Sequence, residues 1–532
     1  MADFNWNNPY PSIRMPLFAR NVVATSQPLA AQAGMRMLQN GGNAVDAAIA
    51  AAAVLIVVEP VSCGLGSDAF AILWDGDRLH GLNASGPAPA AWTPDYFARH
   101  HEGRIPQRGW GSVTVPGMVA GWVELSDRFG ALPFADLFEP AIELAERGHM
   151  VAPIVQHKWA AAIPQLQDQP GFRQAFMPHG RAPHVGELFV FSAAGHTLTR
   201  IAETHGEAFY RGELAEAMSQ FAKQNGGALT LADLADYRPE WVAPIEKNFA
   251  GYTLHEMPPN GQGIAALIAL GIVEHLDIAR FPVDSADSQH LQIEAMKLAF
   301  ADTYRWVAEN SHMSQVSAQH LLDDAYLAER AKLIDMKRAG DFSHGTPAKG
   351  GTVYLTTADE SGMMVSFIQS NYMGFGSGVV VPETGISLQN RGYGFTLDPK
   401  HPNCVAPGKR PFHTIIPGFL TKDGAPQMSF GVMGGNMQPQ GHLQTLVRML
   451  AYGQQPQAAC DAPRWKVNAG MSVDIERTMP PDVIAELAAR GHKIETIADS
   501  YMDFGAGQFI WKTADGYIAA SDPRRDGQAV GF

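Results

Sequence analysis

The residues most capable of chemistry lie in Gly350-Gly351-Thr352-Val353-Tyr354-Leu355-Thr356-Thr357-Ala358, where two glycines close a polar stretch and a threonine opens a β-patterned one. A threonine hydroxyl is a weak nucleophile at its ordinary pKa, and one way to activate it is a neighbouring N-terminal amine acting as base. An internal threonine has no such amine until the bond before it is cut. Glycine at 351 leaves its own carbonyl open to attack, because it carries no Cβ. The same letters also suit a plain loop glycine pair entering a strand, and alone they do not separate the two readings.

Other constellations are fewer. Gly434-Gly435 stands in Phe430-Gly431-Val432-Met433-Gly434-Gly435-Asn436-Met437, between a strand pattern and a helix pattern. Adjacent glycines leave backbone N–H groups uncovered, which is the material of an oxyanion hole, or simply of a tight turn. His413 sits between a basic turn and an apolar run, where a structural role is the plain reading. Gly64-Leu65-Gly66-Ser67-Asp68-Ala69 spells a dinucleotide fingerprint, but a helix pattern precedes it and a strand pattern follows, the reverse of what the fingerprint requires. No His-Glu-x-x-His, Gly-x-Ser-x-Gly or Gly-Lys-Ser/Thr pattern occurs. Neither a cofactor nor a metal is expected.

The elements that must position these residues are legible in outline. Ser26 is the expected N-cap of a helix to about 38, and Asn43 of a second over 44–58 that is apolar nearly all round and so belongs inside the core. A strand is expected at 70–74 and another ending at Val115-Pro116-Gly117. Helices are expected at 118–129, 134–147, 212–224, 231–237, 263–275, 288–306 and 318–337. Residues 338–351 are polar and aperiodic, a surface loop. Beyond it, 352–358 and 363–368 flank Asp359-Glu360-Ser361-Gly362, the signature of a hairpin. Strand–helix pairs follow at 427–431 with 441–452, and 472–475 with 481–490.

Bulk properties narrow the class. The 532 residues are 46% hydrophobic and 17% charged, enough for a large core. At roughly 150 residues per domain this length would allow three or four domains. A net charge of −14 without a long basic run argues against nucleic acid as a partner. The longest apolar run, 47–58, is too short to span a bilayer. Three widely spaced cysteines, Cys63, Cys404 and Cys460, and no signal-peptide pattern suit a cytoplasmic protein.

Taken together, Asn40-Gly41-Gly42-Asn43-Ala44-Val45-Asp46, Glu59-Pro60, Val115-Pro116-Gly117, Met257-Pro258-Pro259, Phe375-Gly376-Ser377-Gly378, Gly434-Gly435, Ala462-Pro463-Arg464 and Ser521-Asp522-Pro523-Arg524 resemble, in order and spacing, the γ-glutamyltranspeptidase family of N-terminal-nucleophile hydrolases. The resemblance covers almost the whole chain. It implies an α+β fold, an αββα sandwich of two stacked, mainly antiparallel sheets between helix layers. It also implies cleavage of Gly351–Thr352. The products would be a large fragment, 1–351, and a small one, 352–532, intertwined as a heterodimer in one domain; a dimer of such heterodimers is the further assembly considered. By the same likeness Thr352 is nucleophile and, through its amine, base. Ser370 would bond that amine, and Gly434 and Gly435 would form the oxyanion hole.

The departures bear on substrate. The family's γ-glutamyl enzymes hold the glutamate amine with an aspartate, where this chain has Gly394. His413-Thr414 match a serine pair that grips the α-carboxylate, and an arginine of the first third has no counterpart near Ser85-Gly86-Pro87. Arg391 and His413 offer potential positive charge instead, with Tyr372 as a further donor. A guanidinium suits a carboxylate, so the expected substrate is a small amide whose acyl group bears a carboxylate but no α-amine. Bulky Tyr372, Tyr393 and Phe412 favour oxamate, cleaved to oxalate and ammonia, as in the divergent branch with oxamate amidohydrolase and glutaryl-cephalosporin-type acylases. A γ-glutamyltransferase or glutathione hydrolase, a glutaryl-type acylase, and an unprocessed binding protein are the alternatives.

Overall fold

The computed structural model describes residues 13–342, 351–498 and 500–532; most of the expected 338–351 loop lies outside them. Two seven-stranded sheets, with every neighbouring pair of strands antiparallel, stack face to face. The first runs Gln528–Gly531, Val22–Thr25, Gly351–Ala358, Met364–Tyr372, Asp68–Trp74, Leu79–Ala84, Glu240–Val242. The second runs Leu17–Ala19, Tyr517–Ser521, Ala506–Lys512, Ala425–Met433, Gly418–Lys422, Tyr252–Glu256, Ile245–Phe249. Val22, Phe70, Tyr354 and Ile368 from one meet Phe419, Met433 and Ile510 from the other in a dry layer. Helices led by Ala44–Val58 cover the outer face of the first sheet. Gly263–Glu274, Ala286–Trp306 and Met437–Leu446 cover the second. The architecture is the αββα sandwich.

The apolar helix Ala44–Val58 is buried along its whole length, as its sequence demands. Its capping box is complete: Asn43 accepts from Val45 N and Asp46 N, and Asp46 accepts from Asn43 N. The Asp46 carboxylate also takes the N–H groups of Ala131 and Leu132, so one side chain ties two backbone segments together.

Several expected boundaries move. Ser26 does not cap the first helix, Pro28–Gln39; Gln27 does, accepting from Leu29 N, while the Ser26 hydroxyl donates to Glu59 at 2.6 Å. The strand expected over 112–115 does not form; Trp110–Ser112 is a buried 3₁₀ turn. The helix expected over 134–147 divides into a 3₁₀ turn, Phe134–Phe138, and a helix, Glu139–Arg147, with Pro140 in the first turn of the latter. The 318–337 helix breaks into Ala318–Leu321 and Asp324–Ala331, because Asp323 caps a new start. The 441–452 helix begins earlier, at Met437.

The chain ahead of the expected cut is gripped. A buried ion pair, Glu294–Lys297 at 2.8 Å, holds both sides of Gly340: Glu294 accepts its N–H at 2.7 Å, and Lys297 donates to its carbonyl at 3.2 Å. His290, Glu294 and His492 present ligand atoms within 4.8 Å of one another. The Lys297 ammonium lies beside them, donating to Glu294 and 3.2 Å from His492 Nδ1. Among the described residues no helix is long and apolar enough to cross a membrane.

Replacing Asp46 by alanine strands three backbone N–H groups in or beside the core. Asp46→Ala is expected to destabilise the fold by about 2 kcal/mol, read as a lower urea midpoint; an unchanged midpoint would contradict the role given to this carboxylate.

Candidate active site

Side chains on a strand alternate between faces. Tyr354 points into the layer between the sheets, so Thr352, two residues earlier, points the same way at the strand end. Ile368 and Phe70 lie on that face of their own strands, which sends Ser370 and Asp68 there as well. The register then brings the three together: Ser370 is opposite Asp68, and a bulge between Gly351 and Val353 sets Thr352 beside them. Thr352 Oγ1 lies 3.1 Å from Ser370 Oγ, both buried. The second sheet reaches the same end. Its strand Ala425–Met433 runs into Gly434 and Gly435, with φ of +121° and +61°, which glycine alone adopts freely. The helix Met437–Leu446 follows at once, and its Gln438 Nε2 is 3.5 Å from Thr352 Oγ1.

Tyr372 closes the hairpin strand in a left-handed conformation, φ +77°, which costs a non-glycine residue about 1–3 kcal/mol and marks functional sites more often than others. That turn aims the Tyr372 N–H back at Ser370 Oγ, 2.8 Å away. It also lays the Tyr372 ring beneath Arg391, whose Cζ is 4.2 Å from the ring centroid. Arg391 is fully buried in the 3₁₀ turn Arg391–Gly394 and donates from Nη1 to Thr414 Oγ1 at 2.8 Å. Its Nε and Nη2, one whole edge of the guanidinium, have no hydrogen-bond partner among the described residues. Burial pulls its pKa down to about 10, with Asp68 opposing, so the group stays charged at neutral pH. Gln262 Nε2 ties the site shut, donating to Thr414 O at 2.6 Å and to Gly435 O at 2.9 Å.

His413 does not supply the positive charge expected of it. Its Nδ1 accepts from Ile415 N at 3.4 Å, which leaves the proton on Nε2, 3.1 Å from Asp68 Oδ2. Burial, and secondly the Arg391 charge, hold its pKa well below the ordinary value. The imidazole is neutral and faces a carboxylate.

The departures from the γ-glutamyl pattern are built into the backbone. A Cβ on Gly394 would lie 2.7 Å from the Phe412 carbonyl oxygen, and one on Gly86 would overlap Val115 O. Neither position has room for an acidic or basic side chain. The expectation that Tyr372, Tyr393 and Phe412 crowd the site is also revised. They line a cavity of about 570 Å³ with Tyr304, Thr414 and Asn436. Asn436, next to the glycine pair, is fixed by a hydrogen bond to the Tyr304 hydroxyl.

Sequence reasoning missed Asp68, Gln262, Gln438 and Tyr304. For Asp68 a signal existed, an acid within the otherwise apolar run entering the strand Asp68–Trp74. The other three are uncharged side chains on helices or at their starts, and nothing local marks them.

Comparison with known proteins places the chain. Residues 30–532 match the family described as gamma-glutamyltranspeptidase. The chain is 37% identical to the oxamate amidohydrolase proenzyme of Klebsiella pneumoniae, over 95% of this chain and 97% of that one. It is 35% identical to the glutathione hydrolase-like YwrD proenzyme of Bacillus subtilis, over 96% and 98%. The crystal structure of cephalosporin acylase from Bacillus halodurans superposes with a TM-score of 0.95 at 50% identity, covering 100% of this chain and 99% of that one. A sandwich of this kind, matched along nearly its whole length in sequence and in structure, makes the chain a member of the γ-glutamyltranspeptidase family of N-terminal-nucleophile hydrolases.

Proposed function

We propose that the chain is a proenzyme that cuts itself at Gly351–Thr352 and then hydrolyses an amide whose short acyl group ends in a carboxylate. The unpaired buried edge of Arg391 carries the substrate reading. A charged guanidinium desolvated with two N–H groups unused is costly unless an anion completes it, and its planar edge fits a carboxylate with two parallel hydrogen bonds. In scission, Thr352 Oγ attacks the Gly351 carbonyl carbon, the C–N bond gives way to an ester, and water releases residue 351 as an acid. The freed α-amine then takes the Thr352 hydroxyl proton as Oγ attacks the substrate carbonyl. The developing oxyanion sits against the Gly434 and Gly435 amides. The amine returns the proton to the leaving nitrogen, and water cleaves the acyl-threonine ester by the same route in reverse. Ser370 holds Thr352 through its 3.1 Å contact. Fragments 1–351 and 352–532 stay together as a heterodimer.

The aromatic cavity of about 570 Å³ beside Thr414 and Asn436 favours a leaving amine much larger than ammonia, as in a glutaryl-type acylase. The enclosure of Arg391 favours the second reading, oxamate, whose carboxylate adjoins the amide. The proenzyme and acylase names of the relatives support both. Gly394 argues against γ-glutamyl substrates, since no acid stands there to meet an α-ammonium.

Four outcomes are expected. Wild-type protein should give two bands on a denaturing gel, the smaller beginning Thr-Val-Tyr; Thr352→Ala should stay uncut, and Thr352→Ser should cut slowly. A panel of oxamate, glutaryl and γ-glutamyl anilides, read as ammonia or aniline release, should rank the γ-glutamyl compound last, and its preference would sink the reading. Arg391→Met should lower kcat/KM for the carboxylate-bearing substrates by about a hundredfold, the worth of two charged hydrogen bonds, while sparing their neutral methyl esters. Gly394→Asp should not create γ-glutamyl activity.

A further inference from the structure

Gln438 has no part in the steps above, yet its side chain reaches the nucleophile's oxygen. It stands in the first turn of the helix Met437–Leu446 and is fully buried. Its orientation is fixed by chemistry. The Ile416 N–H can only donate, and it lies 2.8 Å from Gln438 Oε1, so the carboxamide oxygen is the atom on that side. The NH₂ end therefore faces Thr352 Oγ1, at 3.5 Å. That is the long limit of a hydrogen bond, and catalytic contacts commonly tighten once substrate is bound.

The same residue is tied to the other parts of the site. Its backbone N–H donates to Gly435 O at 3.2 Å, where Gln262 Nε2 also donates at 2.9 Å. Ile416, which holds the Gln438 oxygen, lies two residues beyond Thr414, the partner of Arg391. Backbone and carboxamide oxygen are thus both anchored, and the NH₂ end is the part aimed at the reacting atom.

We propose that Gln438 is a catalytic residue: its carboxamide N–H bonds the Thr352 oxygen and stabilises the negative charge that develops there. The inference rests on the reading of Thr352 as nucleophile. In acylation the Oγ proton passes to the α-amine as Oγ bonds the substrate carbonyl carbon, and the amine then gives that proton to the departing nitrogen. In ester hydrolysis a water proton passes to the amine as the water oxygen bonds the acyl carbon. The carbon–Oγ bond then breaks with its electron pair on Oγ, and the ammonium returns the proton to it. Oγ is the charged atom when its proton leaves and again when the ester breaks, and both times it faces the same N–H. A neutral donor suits the place, because a cation there would lower the pKa of the adjacent amine and weaken it as a base.

In matured enzyme, Gln438→Met removes the donor and should lower kcat for a carboxylate-bearing anilide by about a hundredfold, the worth of one donor to a developing oxyanion. KM should stay within about twofold, since the bond strengthens only in the transition state. A sulfur nucleophile separates this role from packing. Sulfur is a weak acceptor and its thiolate forms readily, so in a Thr352→Cys background the added Gln438→Met should cost less than about threefold. Equal losses on oxygen and on sulfur would show that the side chain acts only through Ile416 or the glycine turn, and overturn the proposal. If either variant fails to mature, Gln438→Glu decides, since it keeps an oxygen at Ile416 N and changes only the end that faces Thr352. A protonated glutamic acid donates to Oγ and a carboxylate does not, so its kcat relative to wild type should fall from about pH 5.5 to about pH 8.5 as the acid ionises. A level or rising ratio refutes the proposal. A wild-type chain that is never cut before Thr352 fails the nucleophile reading instead, which is a different result.

Discussion

The site depends on the pairing register of three neighbouring strands. Because side chains alternate along a strand, a slip of one residue would send Thr352 or Ser370 into the outer helix layer. The register is held at several points: Tyr354 OH bonds Ser366 Oγ at 2.7 Å, and Thr356 Oγ1 reaches Ser429 of the other sheet at 2.5 Å. The buried helix Ala44–Val58 packs on the outer side of the same hairpin. What looks like a catalytic contact between two hydroxyls is the visible end of this long arrangement.

Charge is distributed unevenly around Thr352. On one side Arg391, Asp68 and His413 are fully buried, with Arg391 donating to Thr414 and His413 facing Asp68. On the other an aromatic cleft opens, with Tyr304 holding Asn436 beside the glycine turn. None of those three buried residues lines that cleft. The strain at Tyr372 serves the division, since one left-handed residue both orients Ser370 and floors Arg391.

How much of this the sequence disclosed follows from range. The capped apolar helix, the hairpin around Asp359–Gly362 and the strand–glycine–helix passage at 434–435 are local patterns, and they were legible. Ordered motifs along the chain gave the sandwich. The helix start at Ser26 was not legible, because a tertiary partner, Glu59, takes its hydroxyl; the breaks at Phe138 and Leu322 fall inside one continuous helical pattern. The charge state of His413 was misjudged for a related reason: its partners, Asp68 and Ile415, come from opposite ends of the sequence and from its own turn. Whether Tyr393 and Phe412 fill or merely line the space near Thr352 depends on backbone paths that no spacing reveals.

Both sheets combine strands from before and after position 351. Val22–Thr25 and Asp68–Trp74 flank the Gly351–Ala358 hairpin in one, and Tyr252–Glu256 borders Gly418–Lys422 in the other. Neither piece owns a complete sheet. A break at 351 therefore divides the covalent chain without defining two folding units, and each polypeptide made separately would expose long unpaired strand edges. For the cut proposed at 351, such a weave sets the order of events: assembly first and cutting second.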